Sequence, residues 1–342
     1  MNKGVKNILL LIVIVLAFVT WSFYRTFWLP NTRTGDEPAI LVIPEEASFE
    51  QVCDSLEAGR LVINMKSFRL AAKARKYAGN IKPGRYLIEG ELSNYKLITM
   101  LRAGLQTPVK VTFNNIRTIY ELAGRISSQI EADSAEIIMF LENETNYAGD
   151  GFKRETVISV FIPDTYEVYW NIPVEGFYRR MLREHTRFWN DDRLASAAEK
   201  KLTPVEVSII ASIVDDEVAK TDEKPRIAGV YLNRLRIGMP LQACPTIKFA
   251  LNDFTITRVL YEHMQVESPY NTYKHRGLPP GPVRCSTISG IDAVLNAEKH
   301  DYLYFAAKAD FSGYHNFSRT LAEHNRYANE YQRELNRRRI YR

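Results

Sequence analysis

The stretch "IIASIVDDEVAK" (209–220) sets three acids, Asp215, Asp216 and Glu217, against an apolar run. A carboxyl group can do two jobs in bond cleavage. Protonated, it donates to a leaving oxygen; ionised, it removes a proton. Its surroundings choose the job, because lost solvation raises a carboxyl pKa and an adjacent cation lowers it. The residues just upstream read as a helix start. Thr203 stands at the cap, Pro204 at the first helical position, and Glu206 completes a capping box. At about 100° per residue, Ile210 falls within about 20° of Glu217, Ile213 within about 40° and Val214 within about 60°. Asp215 falls about 160° away, and Asp216 about 100° away, at an edge and one turn before Lys220. The pattern therefore puts Glu217 in the middle of the apolar face. It predicts solvated or supporting roles for Asp215 and Asp216, the latter in an exposed pair with Lys220. Glu217 has two open readings: a general acid with a raised pKa, or a packed stem whose head reaches water or an arginine.

Further downstream, "SPYNTYKHRGLPPGPV" (268–283) has neither helical nor strand periodicity. Its prolines, glycines, tyrosines and amides suit an ordered loop. Aromatic faces can cover the C–H face of a sugar while amides pair with its hydroxyls, but such a loop equally suits protein recognition or a structural role. The 6 histidines and 3 cysteines show no metal-ligand spacing and no C-x-x-C pair. No Walker A or dinucleotide-binding glycine pattern occurs. No metal and no cofactor is expected. The odd number of cysteines (Cys53, Cys244, Cys285) excludes a complete disulfide framework, leaving a Cys244–Cys285 bridge or buried thiols as alternatives.

These residues need elements to hold them. The 342 residues, with 46% hydrophobic and 25% charged, are enough for two or three domains with a sizeable core. The net charge of +5 is modest and interspersed, and the basic end "RELNRRRIYR" reads as a solvated helix end, so no nucleic-acid partner is expected. At the other end, Lys3 and Lys6 precede an uncharged apolar run from about Ile8 to Tyr24, with Trp21, Tyr24 and Trp28 suited to a membrane interface. The bulky "TWSFYRTFW" lacks a small-residue cleavage site, which favours an uncleaved anchor over a signal peptide. The chain thus reads as α+β: a cytoplasmic tip and transmembrane anchor over 1–28, a linker over 29–38, a small α+β module over 39–106 and a larger α+β domain over 107–342. Ser48 is expected to cap the module's first helix and Gly104 to close its last. The strand and helix over 107–130 repeat the order of those starting at Ala39, which suggests a weak internal duplication.

Several blocks together are more specific. "ASIVDDE", "VYLNRLRIGMPLQACPT", "PYNTYKHRGLPPGP", "YLYFAA" and "HNFSRTLAEHN" resemble the YceG/MltG-like family of membrane-bound endolytic murein transglycosylases, in the family's order and approximate spacing. The resemblance extends to "FIPDTYEVY", to the anchor, and to the module carrying "IPEEASFEQVCDSL" and "IKPGRYLIEG", which is similar to the family's LysM-like subdomain. It implies an α+β YceG-like catalytic domain that cleaves the MurNAc–GlcNAc bond of nascent glycan strands and ends elongation. One glutamate acts as acid and then base, closing a 1,6-anhydro ring. That glutamate matches Glu217.

By the same resemblance, Gln242, Tyr270, Asn271, Thr272 and Tyr273 are expected to contact saccharide or orient Glu217. Asn233, Arg234, His324 and Asn325 are expected to support the site. The implied setting is the inner (cytoplasmic) membrane, with one span and a periplasmic catalytic domain. The implied partners are peptidoglycan glycan strands and penicillin-binding synthases. Three departures stand out: Asp215 as the first acid of the family's E-x-E, Cys244 in place of an aspartate after Gln242, and the run "PVRCSTISG" after the Pro-Pro-Gly. The alternatives are a peptidoglycan glycoside hydrolase with Asp216 or another acid as second carboxylate, and a non-catalytic peptidoglycan-binding scaffold.

Overall fold

The computed structural model describes residues 3–33 and 37–338. Residues 34–36 of the expected linker and 339–342 of the basic end lie outside these, as do the first two residues of the tip. The first helix, α1 (Lys3–Phe27), is 25 residues long with a mean hydropathy of 2.3 over its most apolar window, none of it buried. At 1.5 Å per residue it is about 37 Å long. That exceeds the roughly 30 Å of a bilayer's hydrocarbon core, so α1 is long and apolar enough to cross a membrane. The end of α1 and the residues just after it are tied down. Phe27 is buried in the core beside it, and the Trp28 ring stacks on Tyr95 at 5.9 Å. The Asn31 and Thr32 amides both donate to the Leu92 carbonyl.

The chain divides into two compact units. The first holds β1 (Ala39–Ile43), α2 (Phe49–Ala58), α3 (Met65–Ala74), β2 (Gly84–Ile88) and α4 (Asn94–Ala103). The strands pair antiparallel with Leu41 opposite Tyr86, and alternation turns Leu41, Ile43, Tyr86 and Ile88 into the core. Local signals set the helix ends. Ser48 and Gln51 form a capping box on α2, and Gly104 closes α4 at φ 66°, a conformation glycine adopts freely. Buried amides are paired with one another. Asn31 Nδ2 donates to Asn94 Oδ1 at 2.7 Å, and Asn94 Nδ2 donates to the Thr26 carbonyl at 2.8 Å.

Next come β3 (Val109–Phe113), α5 (Ile119–Ser127), α6 (Ser134–Glu142), several 3-10 turns and β4 (Asp164–Val168), which pairs with β3. The order strand, helix, helix, strand thus occurs twice. The first unit also takes in 129–132 and 166–173, which the sequence division left with the second. Hydrogen bonds account for this: the Glu131 amide donates to the Trp170 carbonyl, and the Glu131 side chain accepts from the Glu45 amide at 2.7 Å.

The second unit continues with α7 (Val174–Phe188), α8 (Asp191–Glu199), α9 (Pro204–Glu217), α10 (Lys224–Arg236), α11 (Cys244–Ala250), α12 (Ile288–Leu295), the antiparallel pair β5 (Tyr304–Ala307) and β6 (His315–Ser318), and α13 (Leu321–Arg337). Its centre is α9, packed by α8, α10, α11 and α12. Every residue from Val207 to Val214 is buried, so α9 has no solvent face over that stretch. Thr203, Pro204 and Glu206 start it as expected, with the full capping box.

Candidate active site

Because α9 is enclosed on all sides, its three terminal acids meet three different environments. Asp215 was expected to be solvated or supporting on the helix's far side. It takes the supporting role from an enclosed position, with its side chain only 1% exposed. Its Oδ1 pairs with Lys224 Nζ at 2.6 Å and accepts from the Thr287 hydroxyl, and its Oδ2 accepts from the Thr287 amide at 2.7 Å. Gly290 makes room for it, since a Cβ there would sit 2.5 Å from Oδ1. Asp216 was expected to pair with Lys220. It pairs instead with Arg284 at 2.6 Å and Arg117 at 3.2 Å. The reason is local: α9 stops at Glu217 and Val218 is extended, so Lys220 is not one helical turn away.

The run "PVRCSTISG" (282–290) is what clamps α9. Val283 donates its amide to Ser212 Oγ, Ser286 Oγ donates to the Ser208 carbonyl, Arg284 holds Asp216 and Thr287 holds Asp215. Arg284 also donates to Asn115 Oδ1 at 2.8 Å. Cys285 lies in the same run, buried, and burial pushes its thiol up to about 12. All three cysteines are free thiols.

Glu217 is the exception among the three, because it forms no ion pair among the described residues. It is half-buried at the C-terminal end of α9, where the helix dipole disfavours negative charge. Tyr231 on α10 donates its hydroxyl to Oε1 at 2.9 Å. Burial raises the carboxyl pKa above the ordinary glutamate range. The Tyr231 hydrogen bond, the His315 charge and the Cys244 amide oppose the rise, and Asp216 adds to it. Among the described residues no arginine pairs with its head, which Tyr231 holds instead.

Around Glu217 stand groups that the sequence reading did not single out. Tyr231 is buried and packs edge-on against Phe305 at 6.0 Å. Glu223 Oε2 shares a 2.6 Å hydrogen bond with His315 Nδ1, and Oε1 accepts from the His315 amide. No local pattern flags these residues. Tyr231 sits in a stretch that reads as an ordinary amphipathic helix, and Glu223 and His315 lie ninety-two residues apart in the chain.

The expected site residues divide. Tyr273 comes to the site, its hydroxyl 3.4 Å from Cys244 Sγ, and burial pushes that phenol up. Gln242 is exposed beside Cys244. Its φ of 51° is unusual for a residue with a Cβ, and its amide donates to the Thr272 carbonyl. Asn271 and Thr272, expected at saccharide, are 0% and 2% exposed, and their polar atoms are spent inside the protein. Asn271 donates to the Met264 and Val266 carbonyls and accepts from the Tyr273 amide. Thr272 Oγ1 accepts from the Ala243 amide and bonds Thr246. Both therefore shape the loop that presents Tyr273.

Tyr270 stands apart from Glu217, against Phe249 at 4.6 Å between ring centres. Asn233 donates to the His300 and Tyr302 carbonyls, and Arg234 to the Leu303 and Leu241 carbonyls, so both tie α10 to its surroundings. The His324 ring stacks on Tyr304 at 5.5 Å, and Arg234 lies over the same Tyr304 ring. Asn325 is exposed on α13 and is not brought to the site. No cluster of three or more His, Cys, Asp or Glu able to hold a metal exists among the described residues.

The model of the YceG-like family matches residues 41–330. An endolytic murein transglycosylase of Bacillus subtilis (strain 168) is 28% identical over 307 residues, covering 84% of this chain and 83% of that protein. One from Streptococcus pneumoniae (serotype 2, strain D39) is 27% identical over 311 residues, or 82% of this chain, which spans 56% of that relative's length. A crystal structure of a yceG-like protein from Listeria monocytogenes superposes with a TM-score of 0.58 at 26% identity, over 85% of this chain and 99% of that one.

Proposed function

Because the chain belongs to the YceG-like family, we propose that it is a lytic transglycosylase acting on peptidoglycan, with Glu217 as the group that first gives and then takes the proton. The observation that carries this is one half-buried carboxyl, with its pKa raised by burial, held by a phenol and not by a cation. The reaction balances without water. Glu217 in its acid form donates its proton to the glycosidic oxygen. The bond from the MurNAc C1 to that oxygen breaks, and the GlcNAc side leaves with a hydroxyl. Positive charge at C1 is met by the C6 hydroxyl oxygen of the same MurNAc, which closes the 1,6-anhydro ring. The hydroxyl's proton passes to the Glu217 carboxylate and restores the acid.

Tyr231 suits both halves. Its hydroxyl keeps Oε1 in place and donates to the carboxylate once the first proton has gone. We assign the saccharide contacts beside the carboxyl to Gln242, which is exposed, and to Tyr273, which touches Cys244. A hydrolase would need a second free carboxylate to activate water. Asp215 is committed to Lys224, Asp216 to two arginines and Glu223 to His315, which supports the transglycosylase over the hydrolase.

The anchor α1 has its lysines ahead of the apolar run, which favours a cytoplasmic tip and a catalytic unit on the periplasmic side of the inner membrane. The strand, helix, helix, strand order of the first unit supports a LysM-like module that holds glycan near the membrane. Strand termination beside penicillin-binding synthases follows from this placement. The test is mass analysis of glycan ends after digestion by the full chain. Anhydro ends, one water lighter than hydrolysed ends, are expected from wild type and not from Glu217→Gln. Reducing ends only from wild type would contradict the reaction, and anhydro ends from Glu217→Gln would contradict the residue.

A further inference from the structure

A cavity of about 620 Å³ opens in the second unit beside the site, and Glu217 does not line it. Its size falls within the roughly 300–1,000 Å³ of small-ligand sites. One wall is aromatic. Phe249 packs against Tyr270 at 4.6 Å and against Phe254 at 6.4 Å between ring centres. The other wall carries Arg117 and Arg154, balanced by Glu121 and Glu155. Burial pushes the Tyr270 phenol up to about 12, so it stays a neutral hydrogen-bonding group. Gly281 lets the wall close, because a Cβ there would collide with the Glu155 carbonyl and press on the Tyr270 hydroxyl.

Two links join the cavity to the carboxyl. Arg117 lies over the Phe254 ring at 5.0 Å and pairs with Asp216, the residue before Glu217. Phe249 lies on α11, whose first residue, Cys244, offers its amide to Glu217.

The lining selects a class of ligand. Apolar rings facing balanced charges suit a ligand with one C–H face and one face of hydroxyls and amides. A purely apolar chain would desolvate the arginines and glutamates, whose present partners (Asp216 for Arg117, Glu142 for Arg154) satisfy only part of their hydrogen-bonding capacity. A phosphate would meet the two glutamates. We propose that this cavity is a saccharide subsite, holding sugar units of the glycan strand remote from the bond that Glu217 cleaves. It rests on the reading of the chain as a glycan-cleaving enzyme. Binding energy gathered there orients the reacting bond without touching it.

The test uses the full chain with peptide-free glycan strands. Phe254→Ala and Arg154→Ala each remove one wall of the cavity. Each is expected to raise KM on long strands about fivefold to tenfold, the size of one lost ring or charge contact, with kcat unchanged. Tetrasaccharides, which fill fewer subsites than long strands, are expected to show a smaller change. Tyr261→Ala, an exposed ring outside the cavity, serves as control. Unchanged KM on long strands for both variants would overturn the proposal. So would an equal loss on tetrasaccharides, or a loss seen only with peptide-bearing strands, which would make the cavity a stem-peptide site. If wild type leaves no anhydro ends, the reaction reading falls by itself. Titrating peptide-free glycan into the Glu217→Gln chain then still tests the cavity: weaker binding with Phe254→Ala supports the subsite, and equal binding overturns it.

Discussion

The two units follow different rules for burying charge: both bury neutral polar side chains, and the second also buries charged ones. In the first, the buried polar side chains among the described residues are Thr26, Asn31, Thr32, Ser93 and Asn94, all neutral. They bond one another or the backbone around an aliphatic and aromatic core, which costs little because each donor finds an acceptor. In the second, Glu223, Lys224, Arg234 and Arg284 are buried, with Asp215 and Asp216 beside them. Buried ion pairs add little net stability, because desolvation offsets their attraction. Their use here is geometric. They take up Asp215, Asp216 and Glu223, and leave Glu217 with no ion pair among the described residues. A scaffold can be built by the first rule alone; a reacting carboxyl calls for the second.

The largest expected effect separates the units by activity. Glu217→Gln should lower anhydro-product formation about a thousandfold, the scale of a lost acid–base catalyst. It should also stabilise the second unit at neutral pH. The fold binds a proton that the unfolded chain has released, so stability falls as pH rises from the ordinary carboxylate range toward the raised pKa. Glutamine removes that penalty, and differential scanning calorimetry in detergent should show a higher melting temperature. A lower one would break the comparison.

Lys224→Ala comes next. It strands the Asp215 carboxylate, whose side chain is 1% exposed, and should cost about 3–5 kcal/mol in denaturant unfolding of the second unit. A cost below about 1 kcal/mol would mean that the pair is not the buried lock described here.

Asn94→Ala probes the neutral network of the first unit. It should cost about 1–3 kcal/mol there, leaving Asn31 partly unpaired, with turnover unchanged on substrates that need only the second unit.

The smallest effect is a shift in pH. Tyr231→Phe removes a hydrogen bond that lowers the Glu217 pKa, so that pKa rises further. The alkaline limb of the activity profile, where Glu217 loses the proton it must donate, should move to higher pH. A limb that stays in place or moves down would show that Tyr231 does not act on the carboxyl.

What the sequence allowed depended on distance along the chain. The caps at Ser48, Thr203 and Gly104 were legible because each is settled within a few residues. So was the long apolar helix α1. The helical wheel singled out Glu217 but misjudged the surroundings of Asp215 and Asp216. A wheel assumes one buried face, whereas α9 is buried on all sides over Val207–Val214, and its end at Glu217 removes the turn that would bring Lys220 to Asp216. Asn271 and Thr272 had the right types for sugar contacts, but their hydrogen bonds close the loop instead. Tyr231 and the Glu223–His315 pair were not legible, because partners far apart in the chain meet only through tertiary packing.

The most direct measurement is a titration of the Glu217 carboxyl itself, by infrared difference spectroscopy of wild type against Glu217→Gln. A protonated carboxyl band is expected to persist well above the ordinary glutamate range and to shift upward again in Tyr231→Phe. A carboxyl that ionises at or below the ordinary range would contradict it.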